Sequence, residues 1–174
     1  SERVGEFSSA ASSSRNFAQA ASTVNGLLKG KGGGEIVKVG TALAKDLGLK
    51  NEQVSANDLA QSLATRAAVG VRQPGSGSTS DIEFKAYMSA VPSLSNSETG
   101  RAFMAEGAEA FARRNAKLAD KARELYKKGQ YSDTAIAEYD NSLGPVIDQS
   151  ALDKIIQSSG SKPSSAKPQR RTFN

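Results

Sequence analysis

The stretch from Thr99 to Lys128 constrains this chain more than any other. It is rich in Ala, Glu, Lys and Arg and contains no Pro, the composition a long helix prefers. Met104, Phe111, Leu118 and Leu125 recur in it at a strict step of seven, flanked by Phe103, Ala108 and Ala122. That spacing draws an apolar stripe along one helix face. Gly107 interrupts the run at a cost of roughly 1 kcal/mol relative to Ala. Gly129 is placed to end it, after Lys127 and Lys128 complement the negative helix end. The stripe reads in two ways, as a coiled-coil seam or as an ordinary buried face. The companion positions Gly107, Arg114 and Lys121 are polar or small, which favours the buried face.

Shorter helical signals surround it. Residues 1–14 are Ser-rich and read as a flexible arm. Phe17, Ala20, Ala21, Val24, Leu27 and Leu28 mark a weak helix over 15–29, cut by four glycines in Gly30 to Gly34. Ile36, Val39, Leu43 and Leu47 suggest a helix ending at Gly48, and Ser55 caps another carrying Leu59, Leu63, Ala67 and Val71. After a Pro/Gly/Ser loop, Ser80-Asp81-Ile82-Glu83 matches a capping box. The helix it opens carries Ile82, Ala86 and Met88 or Ser89, and Pro92 is expected to end it near Ala90. Asn96 or Ser97 caps the long helix. Ser132 caps a short one over Asp133 to Asp140. Gly144-Pro145 separates that from a last amphipathic segment, Val146 to Ile156. No stretch alternates as a strand would. The expected fold is all-α: an N-terminal arm with a weak helix and Gly-rich linker (1–34), an irregular helical module (35–157) and a disordered basic tail (158–174).

Composition limits the chemistry. The 174 residues include no Cys and no His. Disulfides, thiolate nucleophiles, Cys-based zinc sites and a Ser-His-Asp triad are therefore excluded. The usual general base at neutral pH is missing too. A non-enzyme with no cofactor, no metal site and no small-molecule substrate is the reading that fits. GKGGG lacks the spacing of a phosphate-binding P-loop. The carboxylate pairs Glu106/Glu109 and Glu138/Asp140 could mimic a glycosidase pair, but charges on a helix surface are normally just solvated. No apolar run approaches the roughly 20 residues of a membrane span.

Of the net charge of +5, four positive charges lie in Lys162, Lys167, Arg170 and Arg171, with no acid in residues 158–174. The body is close to neutral. Such a tail can neutralise a few phosphates in weak, salt-sensitive contact with nucleic acid, or serve only as a solubilising end.

The segment RQPGSGSTSDIEFKAYMSAVPSLSNS at residues 72–97, followed by ETGRAF, resembles a segment of structural proteins of tailed phages, including virion-internal and DNA-ejection proteins. The similarity spans residues 66–157. It implies a virion location, association with other virion proteins and contact with packaged DNA through the basic tail. It carries over no catalytic residue. On this reading the chain is a non-enzymatic virion component, a homo-oligomer assembled through Met104, Phe111, Leu118 and Leu125. Two alternatives remain open: a fragment of a peptidoglycan-degrading virion enzyme, and a DNA-binding packaging accessory.

Overall fold

A computed structural model describes residues 2–32 and 78–158, with residues 34, 35 and 38 between them. The segments expected at 36–47 and 55–71 lie outside these residues, apart from Lys38, as do residues 159–174. Among the described residues the fold is all-α, with five helices and no strand. They are α1 (Glu2–Leu28), α2 (Thr79–Leu94), α3 (Glu98–Lys127), α4 (Asp133–Ser142) and α5 (Gln149–Ser158).

α3 is the axis of the fold, and its bounds fall within a residue of those the sequence predicts. The Ser97 hydroxyl accepts the Gly100 N–H at 2.9 Å and caps the first turn. Gly129 adopts a left-handed φ of 68° after the last turn.

The N-terminal arm is not an arm. Residues 2–28 form one continuous helix that runs antiparallel to α3. The pairing order establishes the direction: Arg3 meets Asp133 just beyond the C-terminus of α3, Ser14 meets Asn115, Ser22 meets Glu109, and the Gly30 N–H reaches Glu98. The buried face of α1 explains why a Ser-rich segment is helical. Phe7, Ser14, Ala21 and Leu28 recur every seven residues, and so do Ala10, Phe17 and Val24. The facing rows on α3 are Met104, Phe111, Leu118 and Leu125 beside Ala108, Asn115 and Ala122. Alanine and serine fill much of this seam, which suits close helix packing. Local propensity argues against a helix here, and burial against α3 overrides it.

α2 also departs from its sequence pattern. It continues through Pro92 to Leu94. Val91 and Leu94 are fully buried, and the Ser95 N–H bonds back to the Val91 carbonyl. Packing of those two side chains outweighs the backbone hydrogen bond that proline cannot donate. The buried face of α2 is Asp81, Tyr87, Ala90, Val91 and Leu94, whereas Ile82, expected inside, is 63% exposed.

Two glycines let α2 lie close on α3. A Cβ at Gly100 would stand 2.1 Å from the Leu94 carbonyl oxygen, and one at Gly107 would stand 2.6 Å from the Tyr87 ring. The Tyr87 hydroxyl donates to the Met104 carbonyl across this contact. Gly107 therefore has a packing reason for the helix propensity it gives up. Gly100→Ala should destabilise the protein by roughly 1–3 kcal/mol, because backbone must move to admit the methyl group. Propensity alone predicts a gain of about 1 kcal/mol, so denaturant unfolding of this variant decides which effect wins.

Candidate functional site

Polar groups of α2, α3 and α4 converge where α2 begins and α4 ends. At the expected capping box, Ser80 lies inside α2 rather than at its cap, and the box does not form. Ser78 holds the cap position, but its side chain accepts from none of the helix's own first-turn amides. The last turn of α4 supplies the missing acceptors instead. Asp140 Oδ2 accepts the Ser80 N–H at 3.0 Å and the Ser80 hydroxyl at 2.7 Å. Asn141 Oδ1 accepts the Thr79 N–H at 3.1 Å and its hydroxyl at 2.7 Å. One helix end thus caps another from a distance in sequence, which a search for local capping cannot find.

Glu83 serves the chain after α4 instead of its expected partner. Its carboxylate accepts the Val146 N–H at 2.9 Å and fixes the turn that leads into α5. Asp148 then caps α5 by accepting the Ala151 N–H at 3.1 Å.

Arg114 closes the cluster from the middle of α3. Its guanidinium donates to Asp140 Oδ1 at 2.7 Å and to the Asp140 carbonyl at 3.2 Å. It also donates to the carbonyls of Leu143 and Gly144. These are carbonyls at the open end of α4, where a positive charge is favourable. Both side chains of the ion pair are almost wholly buried. Burial by itself raises the Asp140 carboxyl, but hydrogen bonds from Ser80, Arg114 and Ser78 outweigh it and hold its pKa below the ordinary value. A carboxyl with a depressed folded-state pKa contributes stability above its unfolded pKa of about 4, and that contribution is lost as pH falls through the folded value. Stability should therefore fall on acidification below about pH 4, and Asp140→Asn should flatten that part of the acid limb in pH-dependent unfolding.

The Tyr87 hydroxyl is pushed up by burial. Its neutral form is favoured in the fold, so its contribution is present below pH of about 10 and declines above it, where only the unfolded chain ionises.

The residues expected to drive assembly are interior. Met104, Phe111 and Leu118 are 1–2% exposed and Leu125 is 9% exposed. Met104 and Phe111 pack with α1, α2 and α5, while Leu118 and Leu125 pack with Phe7, Ala11 and Ile136. Phe111 stands edge-on to Phe84 at 5.1 Å between centroids and 5.2 Å from Tyr87. The stripe is covered by this chain's own helices, so it offers no free surface for another copy in this fold. The basic residues Lys162, Lys167, Arg170 and Arg171 lie outside the described residues.

The carboxylate pairs separate. Glu138 is exposed while Asp140 is buried in its ion pair. Glu106 and Glu109 are both exposed on α3, and Glu109 accepts a hydrogen bond from Ser22 at 3.1 Å. Beside Glu109, an open groove of about 670 Å³ runs between α1 and α3, with Arg15, Gln19, Thr23 and Arg113 on its walls. A second, mostly apolar groove of about 410 Å³ lies between α3 and α5, lined by Ala102, Phe103, Ala151 and Ile155. Among the described residues, no cluster of acidic side chains has the composition of a metal site, and no helix is long and apolar enough to cross a membrane.

Sequence reasoning missed the Arg114–Asp140 pair and the seam partners of α3. A signal for the first existed. Arg114 sits three residues after Phe111, on the flank of the buried stripe, where a charged side chain needs a partner. For the second, the companion row stands four residues after each stripe position, not three: Ala108 and Ala122 flank the stripe in the sequence, and the polar Asn115 between them hides the row.

Comparison with protein families, characterised proteins and solved structures finds no match to this chain.

Proposed function

We propose that this chain is a non-enzymatic structural component of a tailed-phage virion, internal to the particle and associated with delivery of its DNA into the host. The observation that carries the non-enzymatic part is the use made of Asp140 and Arg114. Asp140, the most buried charged group of the described residues, and Arg114 are directed at helix ends and at each other, so their hydrogen bonds go into joining α2, α3 and α4. The phage part rests on the resemblance over residues 72–97. The long α1–α3 pair supports a mechanical role, since 30 residues of α3 make a stiff body about 45 Å long.

On this reading, other virion proteins are the partners and copies of the chain associate through surfaces other than the α3 stripe. The basic tail makes weak contact with packaged DNA. Light scattering on the full chain, at low and high salt and with and without duplex DNA, tests it. A defined multiple of 18.2 kDa, with at most weak and salt-sensitive DNA binding, is expected. Tight binding with a steep salt slope favours the packaging accessory. Clearing in a peptidoglycan zymogram that disappears in Glu106→Gln favours the hydrolase fragment.

A further inference from the structure

We infer that α1 is a separable strap: a helix that forms only when docked on α3 and leaves as a unit while α2 to α5 stay packed.

The first ground is the disparity between the two paired helices. α1 contains six serines and the two glycines Gly5 and Gly26, and open space surrounds both glycine positions. Serine and glycine are poor helix residues, and neither glycine is required there by packing. A free segment of this composition would not hold a helix in water. α3, rich in Ala, Glu, Lys and Arg, is a strong helix former on its own.

The second ground is how α1 is attached. Among the described helices its backbone lies beside α3 alone. Its ends are tied by contacts that water competes for: the exposed Arg3–Asp133 pair and a 3.4 Å hydrogen bond from Gly30 N–H to Glu98. The centre of the seam holds a polar pair, Ser14 and Asn115, in place of apolar contact.

The third ground is that α2 to α5 are also joined by contacts in which α1 takes no part. α1 shares one apolar core with Tyr87, Leu94 and Leu152, but the close approach of α2 to Gly100 and Gly107 of α3 and the Asp140–Arg114 cluster that ties α2, α3 and α4 together include no α1 side chain. The half of α3 around Leu118 and Leu125 depends more on the strap, since among the described residues only Ile136 and the partly buried Tyr131, Ala135 and Tyr139 cover it otherwise. Release of α1 would therefore bare an apolar seam running the length of α3, which includes the seven-step stripe.

Native-state hydrogen exchange on the full chain tests this, with a locked variant as control. Ser22→Cys/Glu109→Cys places two thiols at the exposed edge of the seam, in a chain that has no cysteine of its own. A short bismaleimide then joins them. In the unmodified protein, amides of residues 7–24 should exchange at least roughly tenfold faster than those of residues 104–118, in a single cooperative opening. Cross-linking should slow α1 exchange by a similar factor and leave residues 104–118 unchanged. Equal protection of the two helices, unaffected by the lock, would overturn the proposal. So would exchange in α1 at unfolded rates, which would mean the helix does not dock.

Discussion

Arg114→Met should lower the stability of the fold by roughly 3–5 kcal/mol, the cost of leaving a buried charge without its partner. The substitution keeps the apolar stem and removes the guanidinium. The Asp140 carboxylate is then held at 1% exposure with only Ser80 and Ser78 as donors, and the carbonyls of Leu143 and Gly144 lose the guanidinium, while the Asp140 carbonyl keeps the Leu143 N–H. Neutralising the orphaned carboxylate should restore part of the loss. Arg114→Met/Asp140→Asn is therefore expected to be less destabilised than the sum of the single variants, by about 0.5–3 kcal/mol in a double-mutant cycle. Equilibrium urea unfolding of the four proteins gives the result. Additive losses would mean that the two residues act separately, and the account of a shared cluster would fail.

Phe111→Ala should cost about 3–5 kcal/mol, the usual range for emptying a buried aromatic site. The ring is 2% exposed and meets both Phe84 and Tyr87, so truncation leaves a cavity between α2 and α3 that rigid helices close poorly. This variant also separates two meanings of the seven-step stripe. An interior residue, when truncated, lowers the unfolding midpoint at every protein concentration. A residue at an interface between copies would shift the midpoint mainly where the copies dissociate. The first pattern is expected, from thermal unfolding over a wide range of concentrations.

The sequence was most legible where local chemistry and tertiary packing agree. The bounds of α3 followed from composition, the Ser97 cap and Gly129. α4 followed from Ser132, whose hydroxyl accepts the Ala135 N–H at 3.0 Å. The separation of α4 from α5 was marked by Gly144-Pro145.

Elsewhere distant packing overrides the local signal. At α1, the Ser-rich residues 1–14 read as a free arm and only 15–29 as a weak helix; the seven-step rows do not show as continuing back to Phe7 and Ala10, because Ser14, Ala10 and Ala11 are weak hydrophobic markers. At Pro92 the stop signal was sound chemistry, but burial of Val91 and Leu94 carried the helix past it. At Ser80 and Glu83 the local capping box yielded to acceptors and donors more than 60 residues away. The candidate site residues were legible in only one respect. The stripe was correctly seen as a single apolar face, but only three-dimensional structure could show that α1 covers much of it.

The central claim is that residues 2–28 are a helix lying antiparallel along α3. Nitroxide labels at Ser12→Cys and Lys117→Cys, both exposed and flanking the Ser14–Asn115 contact, test it by pulsed electron resonance. A single narrow short-distance peak is predicted, as two helix axes packed about 8–10 Å apart require. A broad distribution extending to long distances would show a free arm and contradict the account.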